Sequence, residues 1–135
     1  MSYWLIKSEP STWSWEQQQA VSQEPWTGVR NYQASNNMKA MKLGDLAFFY
    51  HSNEGREIVG ICEVAKEYYP DPTDEAGRFG MCDFKAIRAL PQPVTLAQMK
   101  AHPELQNLSL IKQSRLSVCP IESDEWQIIC AMGGL

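Results

Sequence analysis

The chain has 135 residues, 44% of them hydrophobic and 21% charged, with a net charge of −4. That length fits one domain, of the usual ~100–150 residues, with a modest core of its own. No apolar run approaches the ~20 residues needed to span a bilayer, and the acidic balance argues against bulk electrostatic capture of long nucleic acid. The opening MSYWLIKSEP lacks the basic and long apolar blocks of a signal peptide, so a cytoplasmic address is expected. Cys62, Cys82, Cys119 and Cys130 form no Cys-x-x-Cys pair, and neither His51 nor His102 stands at zinc-ligand spacing from them. They are expected to be reduced core thiols, with no metal and no cofactor.

Tyr3–Lys7 (YWLIK) is rich in aromatic and β-branched residues and reads as a first strand. Pro10 ends it, which leaves the polar group Lys7-Ser8-Glu9 at a strand end. Ser14 with Gln17 three residues on forms a capping box for a short helix from Trp15. Trp13 and Trp15 flank that cap and are read as packing residues. Residues 30–41 have the composition of helical turns. Leu43-Gly44-Asp45 is a turn, and Leu46–Ser52 an apolar second strand ending in Tyr50-His51-Ser52. Asn53–Arg56 supplies hairpin chemistry, and Glu57–Lys66 returns as a strand in which Gly60 marks a bulge or a close approach.

Tyr68–Arg78, with two prolines and three acids, reads as a loop. Phe79–Ala89 is a strand, broken at Pro91-Gln92-Pro93. Thr95 and Gln98 make a second capping box. Arg115–Val118 reads as a last strand closed by Pro120, and Ser123 as the cap of a final helix ending at Gly133. The tally is α+β, with a mixed or mostly antiparallel sheet able to curl into a small barrel. Charge is uneven along it: Asn53–Asp83 carries three bases against eight acids, whereas Phe84–Val118 carries five bases against one acid.

Trp26, Arg30, Asn31, Tyr32 and Gln33 combine flat rings, a guanidinium fork and amide pairs. Such groups suit a planar hydrogen-bonding ligand such as a nucleobase. The same pattern also fits core aromatics beside a surface charge.

The blocks YWLIKSEP, WTGVRNYQ, NNMKAMKLGDLAFFYHSNEGREIVGICEV, KEYYPDPT and QSRLSV, in that order, closely resemble the EVE domain family of the PUA-like superfamily, over essentially residues 1–135. The resemblance implies a small β-barrel or pseudobarrel of five to six mostly antiparallel strands, with short helices in the connections. It also implies a pocket for a modified base in DNA or RNA. In the related YTH domains, which read N6-methyladenine, a Lys-Ser pair ends the first strand beside the pocket and a tryptophan forms one cage wall. The matching positions are Lys7-Ser8 and Trp26-Thr27, with Glu9 where YTH domains carry an asparagine. The chain departs from the EVE pattern at Ser35, where arginine is usual, and at Phe79, where tryptophan is common.

Two functions follow from the resemblance. In the first, a reader stacks a modified base on Trp26, with Tyr32, Tyr69 or Phe79 as a second wall. Ser8, Glu9, Thr27 and Asn31 make edge contacts, Arg30, Lys39 and Arg115 hold phosphates, and Tyr50, His51 and Ser52 close the pocket. In the second, an ASCH-like hydrolase acts on a modified nucleoside with Lys7, Glu9 and Thr27, or with His51 as the base. The expected partner is DNA or RNA carrying a modified base, with no membrane involved.

Overall fold

The computed structural model describes all 135 residues. Six strands form one sheet: β1 (Tyr3–Ser8), β2 (Glu24–Pro25), β3 (Leu46–His51), β4 (Glu57–Pro70), β5 (Gly80–Thr95) and β6 (Val118–Ile121). Five α-helices accompany them, four in the connections and the last after β6: α1 (Trp15–Gln19), α2 (Tyr32–Ala40), α3 (Leu96–Ala101), α4 (Ser109–Lys112) and α5 (Ser123–Met132). The strand order is β2-β5-β4-β3-β1-β6. Only the β1–β3 pair is parallel, joining Tyr3 to Leu46 through Ser8 to His51; the other four pairings are antiparallel. No strand pairing joins β2 to β6, so the expected barrel is not closed by backbone hydrogen bonds.

Sequence explains most of these elements. The alternating and continuous apolar runs of β1 and β3 bury Leu5, Ile6, Phe48 and Phe49 completely. Phe84, Met38, Met99 and Ile129 join them in one hydrophobic cluster that draws on every helix and every long strand. Trp126 of α5 lies flat on Phe48, with ring centroids 3.8 Å apart, and Tyr3 stacks beside it. The capping boxes at Ser14 and Thr95 form as expected, because they depend only on residues three apart. No helix is long and apolar enough to cross a membrane. All four cysteines are free thiols, and burial pushes Cys82 up to about 12 and Cys119 up to about 11.

Four boundaries differ from expectation. Strand β5 does not break at Pro91-Gln92-Pro93. The register jumps from Gly60↔Ala89 to Ile58↔Val94, so both prolines lie in a bulge where no ladder donor is required. Gln92 N donates there to Gly133 O at 3.1 Å, tying the bulge to the end of α5. Strand β4 runs on through Tyr68–Pro70 because Tyr69 and Pro70 pair with Met81 and Gly80. The last strand is Val118–Ile121 rather than Arg115–Val118, and it tolerates Pro120 as a sheet edge does. The cap of α5 is Glu122, whose N–H donates to Glu125 Oε1 at 2.9 Å, with Ser123 already helical.

A candidate nucleic-acid interface

The C-terminal end of β1 leaves the sheet at Ser8 and turns sharply. Glu9 O accepts from Thr12 N and Trp13 N, both at 2.9 Å, and Ser8 Oγ donates to Trp13 O. The turn brings Trp13 back beside the strand end. Its indole Nε1 donates to Gln18 Oε1 at 2.8 Å. Gln18 is wholly buried and donates through Nε2 to Phe84 O on β5 at 2.9 Å. Two hydrogen bonds in series thus hang the Trp13 ring from the sheet.

The opposite side is built by β2. Glu24 and Pro25 pair with Phe84 and Asp83, and Trp26 N continues the ladder to Cys82 O at 2.9 Å. The Trp26 ring stands edge-on to Phe49 and Phe84, with centroids 5.9 and 5.6 Å away, and is only 9% exposed. Between the two sides lies an open cleft of about 520 Å³, lined by Lys7, Ser8, Glu9, Thr12, Trp13, Glu24, Pro25, Trp26 and Thr27.

The cleft has one ammonium and two carboxyl groups. Lys7 Nζ donates to Ser114 O at 2.9 Å, and burial lowers its pKa, opposed by the nearby Cys119. Burial raises the Glu24 carboxyl, and Asp83 raises it further. Two indoles flanked by carboxylate and hydroxyl oxygens form a site of acceptors and π-faces. Such a site suits a flat guest that carries an exocyclic amine and disfavours an anion.

Of the candidate site residues, Lys7, Ser8, Glu9, Trp26 and Thr27 line this one cleft, and the others do not join them. Tyr50 is 4% exposed and belongs to the core. His51 accepts at Nε2 from Trp15 N at 3.1 Å, and burial lowers its pKa. That lone pair is engaged by the α1 backbone, which removes His51 as a base at that atom. Ser52 N donates to Ser8 O at 3.0 Å, a backbone link behind the cleft.

Arg30 donates to Asp71 Oδ2 at 3.1 Å and to Thr73 Oγ1 at 2.9 Å, and its guanidinium lies 5.8 Å from the Phe79 ring centre. Tyr32 is 61% exposed and packs on Phe79 at 4.8 Å, so those two rings face each other outside the cleft. The hydroxyl of Tyr69 donates to Asp83, and Lys66 covers its ring. Lys39 lies over the Tyr68 ring at 5.5 Å. Ser35 is buried, its hydroxyl 3.0 Å from the Tyr68 hydroxyl, so it faces the interior rather than a phosphate. Asn31 caps α2, accepting from Ala34 N at 2.9 Å. Asn31 and Arg115 line a second, polar cleft of about 370 Å³ with Gln33, Lys112, Gln113, Ser114 and Leu116.

Sequence reasoning missed Thr12, Trp13, Glu24 and Pro25. Trp13 carried a signal: it follows Ser8 by five residues across a proline-bearing turn, close enough to fold back on the strand end. Glu24-Pro25 carried none, since a two-residue strand is defined only by its pairing with β5.

Several known proteins match this chain over nearly its whole length. The EVE domain model matches residues 2–132. Human thymocyte nuclear protein 1 is 32% identical over 165 residues, covering 97% of this chain and 73% of that protein. A solved protein from Agrobacterium tumefaciens is 52% identical with a TM-score of 0.98, covering 100% of this chain and 94% of that one. The human protein has also been solved in complex with DNA containing 5-methylcytosine; it superposes with a TM-score of 0.94 over 100% of this chain and 99% of that chain, at 32% identity. An ASCH protein from Zymomonas mobilis, at 12% identity and a TM-score of 0.61, shares the fold alone. A family match across nearly the whole chain, with the same α+β architecture in its solved relatives, places this chain in the EVE domain family.

Proposed function

We propose that this protein is a DNA-binding module that reads a methylated cytosine, extruded from the duplex into the Trp13–Trp26 cleft. The observation that carries the reading is the pair of indoles converging with Glu9 and Glu24, in a chain similar over its full length to a protein solved with 5-methylcytosine DNA. A duplex hides the face of a base, so a reader of the whole base extrudes it. The half-buried Trp13 offers more of its ring than Trp26 and is the principal stacking wall. A carboxylate of Glu9 or Glu24 accepts from the exocyclic amine of cytosine. Pro25 and the Thr27 methyl give the 5-methyl group an apolar neighbour.

Hydrolysis, the second reading, gathers Lys7, Glu9 and Thr27 in the same cleft. Against it, the Lys7 ammonium is engaged by Ser114 O and His51 lies elsewhere.

The test is fluorescence anisotropy with matched duplexes that differ only in one 5-methyl group, with the DNA checked afterwards by mass spectrometry. The wild type is expected to prefer the methylated duplex and leave it intact. Trp13→Ala is expected to weaken methylated-DNA binding about 5- to 150-fold, the equivalent of ~1–3 kcal/mol of stacking. Equal affinity for the two duplexes would overturn the reading, and a deaminated or excised base would replace it with catalysis.

A further inference from the structure

The base cleft has the wrong chemistry for the rest of a nucleic acid. It holds two carboxyl groups and one lysine already bonded to a carbonyl, and the chain as a whole carries −4. Affinity for DNA comes largely from neutralised phosphates, so a base reader of this composition needs a separate cationic surface near its base site.

The second cleft meets that requirement. Lys112 and Arg115 face it, and no acidic residue lines it. Neither cation takes part in a salt bridge; the two ion pairs of the molecule are Arg30–Asp71 and Lys85–Glu63. Asn31 and Gln33, at the start of the nine-residue α2, add side-chain amides, and the first turn of α2 contains no acid to oppose the positive end of its dipole.

The two clefts also share a rim. Lys7 lines the base cleft and its ammonium donates to Ser114 O in the wall of the second, at 2.9 Å, while Lys7 N donates to Ser117 O at 3.0 Å. A nucleotide in one cleft therefore has its neighbouring backbone within reach of the other.

We propose that the cleft between Asn31 and residues 112–116 is a phosphodiester subsite for the DNA strand whose base enters the Trp13–Trp26 cleft. Arg115 supplies a planar fork to phosphate oxygens and Lys112 a point charge. The subsite fixes register and supplies affinity, while discrimination between bases stays in the first cleft. The assignment rests on the base-reading role of that first cleft, and the experiment separates the two claims.

The double variant Lys112→Ala/Arg115→Ala is titrated against methylated and unmodified duplexes from about 50 to about 200 mM salt. Both affinities are expected to fall together, by about tenfold or more at the lowest salt, with their ratio unchanged. The slope of log affinity against log salt is expected to flatten by about 2, for two lost phosphate contacts. Trp13→Ala is expected to do the converse, collapsing the ratio and leaving the slope. The charge-conserving Lys112→Arg/Arg115→Lys protein is expected to keep the wild-type slope, which separates charge from folding.

A double variant with an unchanged slope and a wild-type melting temperature overturns the subsite, even if methylated DNA is still preferred. A flattened slope in a protein with no methylation preference upholds the subsite and removes the base-reading role. Inorganic phosphate added at constant ionic strength is expected not to compete. Competition would reassign the cleft to a free anion and overturn the proposal.

Discussion

Trp26 sits between two roles. It borders the cleft, yet its ring is packed edge-on against Phe49 and Phe84. The sequence pattern fitted both a stacking ring and a core aromatic, and a ring that borders the cleft yet is 9% exposed is as much core as wall. Trp26→Ala is therefore expected to lower stability by about 3–5 kcal/mol as well as binding. Trp13→Ala removes a half-buried ring and one hydrogen bond, so its melting temperature should fall much less. Thermal melts of the two variants check this difference. Asp71 is the other residue whose environment sets a measurable property. Burial alone would raise its pKa, but hydrogen bonds from Thr73 and Gly28 N and the Arg30 contact overcome that and hold it at about 2, below the usual 3.8. A carboxyl with a lowered folded pKa stabilises fully above its unfolded value, and the contribution disappears as pH falls through the folded one. Between about pH 4 and about pH 2 the wild type should therefore lose more melting temperature than Asp71→Asn. Parallel acid losses in the two proteins would show that the clamp does not titrate in that window.

At the scale of elements, the decisive contact lies between β4 and α1. A Cβ on Gly60 would stand 2.2 Å from Cζ2 of Trp15, a ring held by packing on Phe49 with its own indole N–H unpartnered. Gly60→Ala must displace that ring and is expected to destabilise the protein by about 1–3 kcal/mol. Moving α1 also moves Gln18, so the variant should lose affinity for methylated DNA although Gly60 lines no part of the cleft. A destabilised variant that binds normally would show the Trp13 wall to be independent of α1. The same contrast between local and distant causes explains what the sequence made readable. The capping boxes, the two apolar strands and the polar end of β1 are written in neighbouring residues. The passage of β5 through Pro91 and Pro93 is not, because the bulge is set by β4. Arg30 and Tyr32 read as ligand groups because their chemistry suits one, but their placement depends on the loop from Asp71 to Phe79, which binds the first and packs the second. Half of the cleft was visible for the same reason: Lys7–Glu9 and Trp26–Thr27 lie beside recognisable strands, whereas Trp13 and Glu24 arrive through a turn and a pairing.

The whole molecule places opposite charges in two neighbouring clefts. Two carboxyl groups line the cleft of Trp13 and Trp26, and two free cations line the cleft beside it. The walls of the first are already in position: Phe84 O holds Gln18, Gln18 holds Trp13, and Cys82 O holds Trp26. A receptor assembled in advance has little left to order when its guest arrives. In the proposed complex the slow event then belongs to the DNA, whose base would have to leave its stack, and that departure is easiest from a mispaired position. Association should accordingly quicken when the methylated cytosine faces a mismatched partner, while dissociation changes little. Stopped-flow mixing of the protein with matched and mismatched duplexes measures both rates, and equal association rates would mean that the protein rather than the helix sets the pace.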